Sequence, residues 1–334
     1  MKRFLQESEN QDIPFFREDR VDLYLLNTRK VLEAERCDPT TTVEVFPNSE
    51  GVICGVAEVL SYLERVLPGK AEVWALPEGK AMDRKEVVLR IRSPYSWFGI
   101  YETALLGTLA HGSGWATAAK ACVEAAGGIP VVSFGARHVH PAVSDRMEYA
   151  AFVGGCSGCA TLAGAILTGQ KPMGTMPHAM LLIFGDTIIG AEAFDRNMPE
   201  VVPRIVLVDT FKDEVEESLL VAEKMGDRLW GVRLDTPSER GGVTPELVKE
   251  VRVRLNQAGY AKVKIFVSGG LDPDRLRLFT EAGCLVDGFG VGSAISGASP
   301  INFTADIKGL DGRPVAKRGR IPGIIKNSRL EKVK

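Results

Sequence analysis

From residue 129 onward the chain repeats one alternation. Short apolar runs rich in β-branched residues appear as IPVVSF, KPMGTM, RIVLVDT, LWGVRLDT, KVKIFVSGG and VDGFGVGS. Amphipathic stretches, such as 213–225, 244–258 and 272–282, separate most of them. A strand that is apolar on both faces must be covered on both faces, which points to parallel strands flanked by helices. Six such units in succession predict an α/β barrel rather than an open sheet.

The earlier part of the chain is patterned differently. Residues 22–36 place Leu23, Leu26, Val31 and Leu32 at helical spacing. The runs TTTVEVFP, VAEVLSYLERVL, AEVWALPE and EVVLRIRSPY then alternate strand-like and helical character and predict a compact α+β region without repeats. Residues 101–126 read as a helix, with an interruption expected near Gly112-Ser113-Gly114. After Pro300 the segment INFTADIKGLDGRPVAKRGR predicts a hairpin around Leu310-Asp311-Gly312 and a basic tail, packed back on the first domain. The expected domains are therefore 1–115 plus 298–334, an open-faced α+β sandwich, and 116–297, the barrel. Lys317, Arg318 and Arg320 could meet a phosphate, but a solvated charge run is the plainer reading.

Composition narrows the partners. The 334 residues carry a formal net charge of −2, so no global basic field would attract nucleic acid. An anionic small substrate would need local arginines and backbone amides. The polar start, MKRFLQESENQDIPFFRED, lacks the apolar centre of a leader, and no apolar run is long enough to span a membrane, so a cytoplasmic location is expected. The six cysteines contain one C-x-x-C pair, Cys156 and Cys159, at what reads as the start of a small-residue helix. Without a second pair this predicts buried free thiols rather than structural zinc.

Active sites of α/β barrels gather at the C-terminal ends of the strands. Reading off those ends collects Gly135, Ala136, Arg137, His138 and His140 after IPVVSF, and His178 after PMGTM. Asp209 and Thr210 follow RIVLV, and Asp235 and Thr236 follow LWGVRL. Ser268, Gly269 and Gly270 follow KVKIFV, and Gly290, Gly292 and Ser293 close the series. The glycine clusters on the last two strands suit a phosphate, because bare backbone N–H groups can approach its oxygens. Asp209 and Asp235 could hold ribose hydroxyls or magnesium, or could simply cap helices. Arg137 offers a planar fork for carboxylate or phosphate. His138, His140 and His178 lack the accompanying carboxylates of a zinc site, and His140 before Pro141 has a structural reading.

These segments resemble a known family when taken in order. DLY at 22–24, YETALLG with GSGWAT, FGARHVHP, GTMPHA, VDTF, VRLDTP, SGGLDP and GFGVGSAI are similar, over nearly the whole chain, to the nicotinate phosphoribosyltransferases of the type II phosphoribosyltransferases, which also include quinolinate phosphoribosyltransferase. The pattern is most similar to the shorter, archaeal-like branch, but no cysteine follows Cys284, so the C-terminal zinc knuckle of that branch is not expected. The resemblance implies an irregular α/β barrel with an N-terminal sandwich domain completed by the C-terminal segment. It implies a homodimer or larger assembly with active sites near subunit interfaces. It implies that His178 is phosphorylated by ATP and that Arg137 is the basic residue after the first barrel strand, with His138 where relatives often carry a second arginine. Tyr24, Thr175, His138, Asp209, Thr210, Asp235, Ser268, Gly269, Gly270, Gly290, Gly292 and Ser293 would contact substrate. Magnesium would arrive with the pyrophosphate groups, and ATP would act as co-substrate.

The chemistry agrees with the residue types. The ring nitrogen of nicotinate is already nucleophilic, so no general base is needed. The catalyst must align it with C1 of phosphoribosyl pyrophosphate and stabilise the leaving pyrophosphate. Rival readings are quinolinate phosphoribosyltransferase, which needs more cations for a dicarboxylate, and another phosphate-binding barrel enzyme, which usually needs a Schiff-base lysine or acid/base pair. A non-catalytic sugar-phosphate or nucleotide sensor on the same scaffold is the third.

Overall fold

The computed structural model describes residues 14–334; most of the polar start MKRFLQESENQDIPFFRED lies outside them. The chain divides into one unit that runs to Thr117 and takes up Ala298–Lys334, and a second, Ala118–Gly297. Among the described residues no helix is long and apolar enough to cross a membrane.

The first unit contains the helix Leu23–Ala34, β1 (Thr40–Pro47), β2 (Gly51–Val52), the helix Val56–Val66, β3 (Glu72–Ala75), β4 (Ala81–Met82), β5 (Leu89–Pro94) and the helix Glu102–Ala125, inside which the division falls. That helix runs without a break through Gly112-Ser113-Gly114, where an interruption was expected. The glycines serve close packing instead. A Cβ on Gly112 would stand 3.1 Å from the Cys54 carbonyl oxygen, and one on Gly114 only 2.4 Å from that of Ser299. Ser113 between them takes the Cys54 N–H at 3.1 Å.

The second unit is built on β6 (Val131–Ser133), β7 (Ile205–Leu207), β8 (Gly231–Leu234), β9 (Lys264–Val267) and β10 (Gly288–Val291), paired in parallel in the order β6-β10-β9-β8-β7. All residues of β6, β7 and β10 are buried, as two-sided burial requires. The intervening helices begin on side-chain caps. Asp213 accepts from Val215 and Glu216 N–H, Thr244 from Leu247 N–H and Asp272 from Arg275 N–H.

KPMGTM, expected as a strand, contributes only a single bridge at Pro172 to Cys159. Proline cannot donate to a ladder. The C-x-x-C segment does not start a helix: Gly158 and Cys159 are bridged residues beside Val132 and Pro172, and the helix Leu162–Thr168 begins later, capped by Thr161. Both thiols are buried and free, and burial raises their pKa, that of Cys156 to about 12. Pairing thus extends from β7 through β6 to the segment at 172–173. Met173 and Thr175 at one end and Ile205 of β7 at the other line one cavity, giving an irregular barrel.

Past the barrel come β11 (Phe303–Leu310), β12 (Arg313–Pro314) and β13 (Glu331–Lys332), all in the first unit. They complete its antiparallel sheet in the order β12-β11-β1-β5-β3-β13. The β11–β12 hairpin turns at Asp311 and Gly312, both with positive φ. Val43, Val45, Val73, Leu89 and Ile91 form a core with Val56, Val59 and Leu63 of the helix Val56–Val66. Buried Glu44 takes the Arg90 guanidinium at 2.8 Å and the Ile325 N–H at 3.1 Å, which ties the C-terminal segment to the sheet. Arg320 of the basic tail pairs with Asp306 at 2.9 Å.

Candidate active site

The loops beyond the barrel strands bring together residues far apart in sequence. Pro177 ends the irregular segment and His178 opens the helix His178–Phe184. Its Nε2 stands 2.9 Å from Asp209 Oδ1, just past β7. The other oxygen of Asp209 accepts the backbone N–H of Asp235, just past β8, at 2.6 Å. The Asp209 side chain is 1% exposed, so both of its oxygens are committed to these contacts. It caps no helix; Asp213 does that. Asp235 Oδ1 accepts from the Ser268 hydroxyl at 2.8 Å, and its Oδ2 lies 3.5 Å from Arg233 Nη2 and 3.9 Å from His178 Nδ1. Gly269, at φ +92°, approaches the same carboxylate so closely that a Cβ would stand 3.0 Å from Oδ1.

Electrostatics follow from this packing. The hydrogen bond to Asp209 raises the His178 pKa above its ordinary value; burial opposes the rise, and the charges of Asp209 and Asp235 add to it. With Nε2–H assigned to Asp209, the Nδ1 lone pair is the free one.

Arg233 was not singled out from sequence, and it is central. It projects from β8 with its side chain only 15% exposed. Nη1 donates to the Thr175 hydroxyl, while Nε is buried without a partner. Burial lowers its pKa, against the pull of Asp235 and Asp209, and the charge of Arg137 lowers it further. Its guanidinium lies 5.8 Å from the Phe134 ring centroid. Both line the small cavity, with Val132, Phe266, Phe289 and Gly290. The readable signal was a cation inside an otherwise apolar strand, LWGVRL, where a charge must find a partner or a ligand.

Of the residues selected from sequence, Thr175, His178, Asp209, Asp235, Ser268 and Gly269 thus form one connected cluster with Arg233. Gly270 follows at φ +61° with open space beside it. Thr210 gives its N–H to Glu217 at 3.3 Å, and its hydroxyl is buried without a partner. Gly290 packs on Phe134, where a Cβ would stand 2.3 Å from the ring. A second group joins His138 Nδ1 to Ser296 Oγ at 3.3 Å, with Gly292 against the imidazole and Ser293 exposed beside it. Arg137 is exposed in the short turn Ala136–His138. His140 is structural: its Nδ1 accepts the Ala142 N–H at 3.1 Å. Tyr24 belongs to the first unit, where it is 58% exposed and its hydroxyl lies 3.4 Å from Glu102 Oε1.

Comparison with known proteins places this geometry in context. Residues 22–113 match the model of the quinolinate phosphoribosyl transferase N-terminal domain, and residues 115–306 that of its C-terminal domain. A nicotinate phosphoribosyltransferase of Mycobacterium tuberculosis is 31% identical over 82% of the chain, which spans 65% of that relative's length. The crystal structure of nicotinate-nucleotide pyrophosphorylase from Pyrococcus furiosus is 44% identical, with a TM-score of 0.85 over 92% of this chain and 79% of that one. The human nicotinic acid phosphoribosyltransferase structure, at 18% identity and a TM-score of 0.74 over 91% of this chain and 77% of that one, shares the fold.

Proposed function

The chain belongs to the quinolinate phosphoribosyl transferase family, and on that premise we propose that it joins nicotinate to phosphoribosyl pyrophosphate, yielding nicotinate mononucleotide and pyrophosphate for NAD biosynthesis. The observation that carries this reading is the cavity in which a buried arginine with an unpartnered Nε meets three phenylalanine rings. The chemistry of this lining suits a flat aromatic acid, whose carboxylate would meet Arg233 and whose ring would lie among Phe134, Phe266 and Phe289. Among the described residues Arg233 is the one cation lining the cavity, which suits a monocarboxylate.

In the reaction the ring nitrogen's lone pair forms the bond to C1 of the ribose, and the C1–oxygen bond breaks with its electron pair on pyrophosphate. Arg137, exposed and close enough for its charge to act on Arg233, would meet that developing charge. Ser268, Gly269 and Gly270 would hold the 5′-phosphate together with Gly292 and Ser293. Asp235 and the unpartnered Thr210 hydroxyl would take ribose hydroxyls. Asp235 is the partly exposed carboxylate here, so it suits magnesium bound mainly by pyrophosphate oxygens, which would offset the leaving group's charge.

Coupling to ATP through His178 is part of the same proposal. The Nδ1 lone pair attacks the γ-phosphorus, the bond to ADP breaks with its electron pair on ADP, and Asp209 holds the positive charge left on the ring at Nε2–H. The exposed Leu182, Ile183 and Phe184, on the helix that begins at His178, support a homodimer or larger assembly. The 44% identity to the Pyrococcus protein supports the shorter branch. A cytoplasmic location accords with these phosphorylated substrates.

Quinolinate, with release of carbon dioxide, is the second reading, favoured by the family model itself. Product analysis with nicotinate and quinolinate separates the two. Nicotinate mononucleotide without carbon dioxide supports the proposal, and turnover of quinolinate alone overturns it. Binding of sugar phosphate without any turnover would make the chain a sensor.

A further inference from the structure

Glu214 and Glu217 stand one turn apart on the helix Glu214–Met225, at 4% and 3% exposure. Neither belongs to the cavity lining. A carboxylate buried this deeply is costly unless donors satisfy it. Glu217 Oε1 accepts from the Thr187 hydroxyl at 2.8 Å and the Phe211 N–H at 3.3 Å, and its Oε2 accepts the Thr210 N–H at 3.3 Å. Thr210 and Phe211 directly follow Asp209. Glu214 Oε1 accepts from the Thr236 hydroxyl at 2.7 Å, and Thr236 directly follows Asp235. One helical face therefore grips the residue next to each of the two aspartates of the site, because positions three apart lie on the same side of a helix.

We propose that Glu217 and Glu214 are positioning residues of the reaction site, setting the loops beyond β7 and β8 at the separation where Asp209 bridges His178 and the Asp235 N–H. The grip is directional. Three donors on three backbone or side-chain positions aim at Glu217, and a carboxylate accepts all of them where a carboxamide must present an N–H to one. Thr187 opens the helix Thr187–Asn197, so the same carboxylate also fixes that helix against the loop. The catalytic consequence rests on the function proposed above; the geometric consequence does not.

The test uses the full-length protein and two variants, Glu217→Gln and the milder Thr187→Val. The chain has four histidines, so their Cε1–H signals can be followed by NMR, with His178 assigned by its loss in His178→Gln. Both variants should move the His178 titration back toward the ordinary histidine range, Glu217→Gln the more. The kcat for nicotinate mononucleotide formation should fall about tenfold in Glu217→Gln, because small misplacements cost this much in aligned sites. KM for nicotinate should change less than about twofold, since the cavity around Arg233 is untouched. If Glu217→Gln does not fold, Thr187→Val decides. Folded variants with lowered Tm but an unchanged His178 titration and unchanged kcat would make the two glutamates merely structural and overturn the proposal. Should wild type fail to use nicotinate, the proposed function fails, and the titration still decides the positioning role.

Discussion

His178 Nε2 and Asp209 Oδ1 stand 2.9 Å apart, while the second oxygen of the same carboxylate holds the Asp235 N–H at 2.6 Å. One buried carboxylate thus orients the imidazole and fixes the neighbouring loop. Because this contact raises the folded-state pKa of His178, protonated His178 stabilises the fold fully below the unfolded value of about 6.5. That contribution is lost as pH rises through the raised folded value. Wild type should exceed His178→Gln in Tm by its widest margin at about pH 5.5 and by a shrinking margin through neutral pH and above. Thermal melts across that range check it; a margin that grows with pH contradicts it.

Arg233→Ala should weaken nicotinate binding by about 1.5–3 kcal/mol, the size of a hydrogen bond to a charged group. Discrimination against nicotinamide should fall with it, because the carboxylate loses its partner while the rings remain. KM values for both pyridines measure this. Equal loss for the two would show that Arg233 does not read the carboxylate.

The strand ends were legible because apolar β-branched runs break off sharply into polar residues, as at RIVLVDT and LWGVRLDT. What those polar residues do to one another was not. Asp209 and the Asp235 N–H meet only because β7 and β8 are neighbours, and a strand order is not written in local pattern. Arg233 lies inside a strand rather than in a loop beyond one, and its signal is the cation in an otherwise apolar run. Glu217 gave none: its partner Thr187 is thirty residues away. KPMGTM had the apolarity of a strand but also Pro172 and Gly174, and backbone chemistry outweighed hydrophobicity there. Gly112 and Gly114 misled in the opposite sense, since glycine suits close packing as well as breaks.

Gly290→Ala should close the cavity. The added Cβ would stand 2.3 Å from the Phe134 ring, so the ring must move or the strand must. Overpacking of this kind costs about 1–3 kcal/mol of stability. A denaturant midpoint shift, with a raised KM for nicotinate, is the expected pair of results. Unchanged kinetics would place the pyridine site elsewhere.

Arg137→Ala should leave stability within about 0.5 kcal/mol, as for an exposed side chain. It should nevertheless cost on the order of 2–4 kcal/mol in kcat/KM if it meets the leaving pyrophosphate. Steady-state kinetics beside a denaturation curve separate the two effects. Near wild-type kcat/KM would remove Arg137 from the mechanism.

On the proposed function a monocarboxylate pyridine is the acceptor, and His178 couples its transfer to ATP. Pyrophosphate release should be measured with nicotinate, nicotinamide and quinolinate side by side, each with and without ATP, for wild type and His178→Ala. Wild type should turn over nicotinate preferentially and respond to ATP, with acid-labile, base-stable label from γ-labelled ATP on the protein. His178→Ala should take up no label and keep slow, ATP-independent transfer to nicotinate. Quinolinate turnover with carbon dioxide release in place of nicotinate turnover would contradict the proposed acceptor, and label and ATP response persisting in His178→Ala would contradict the role of His178.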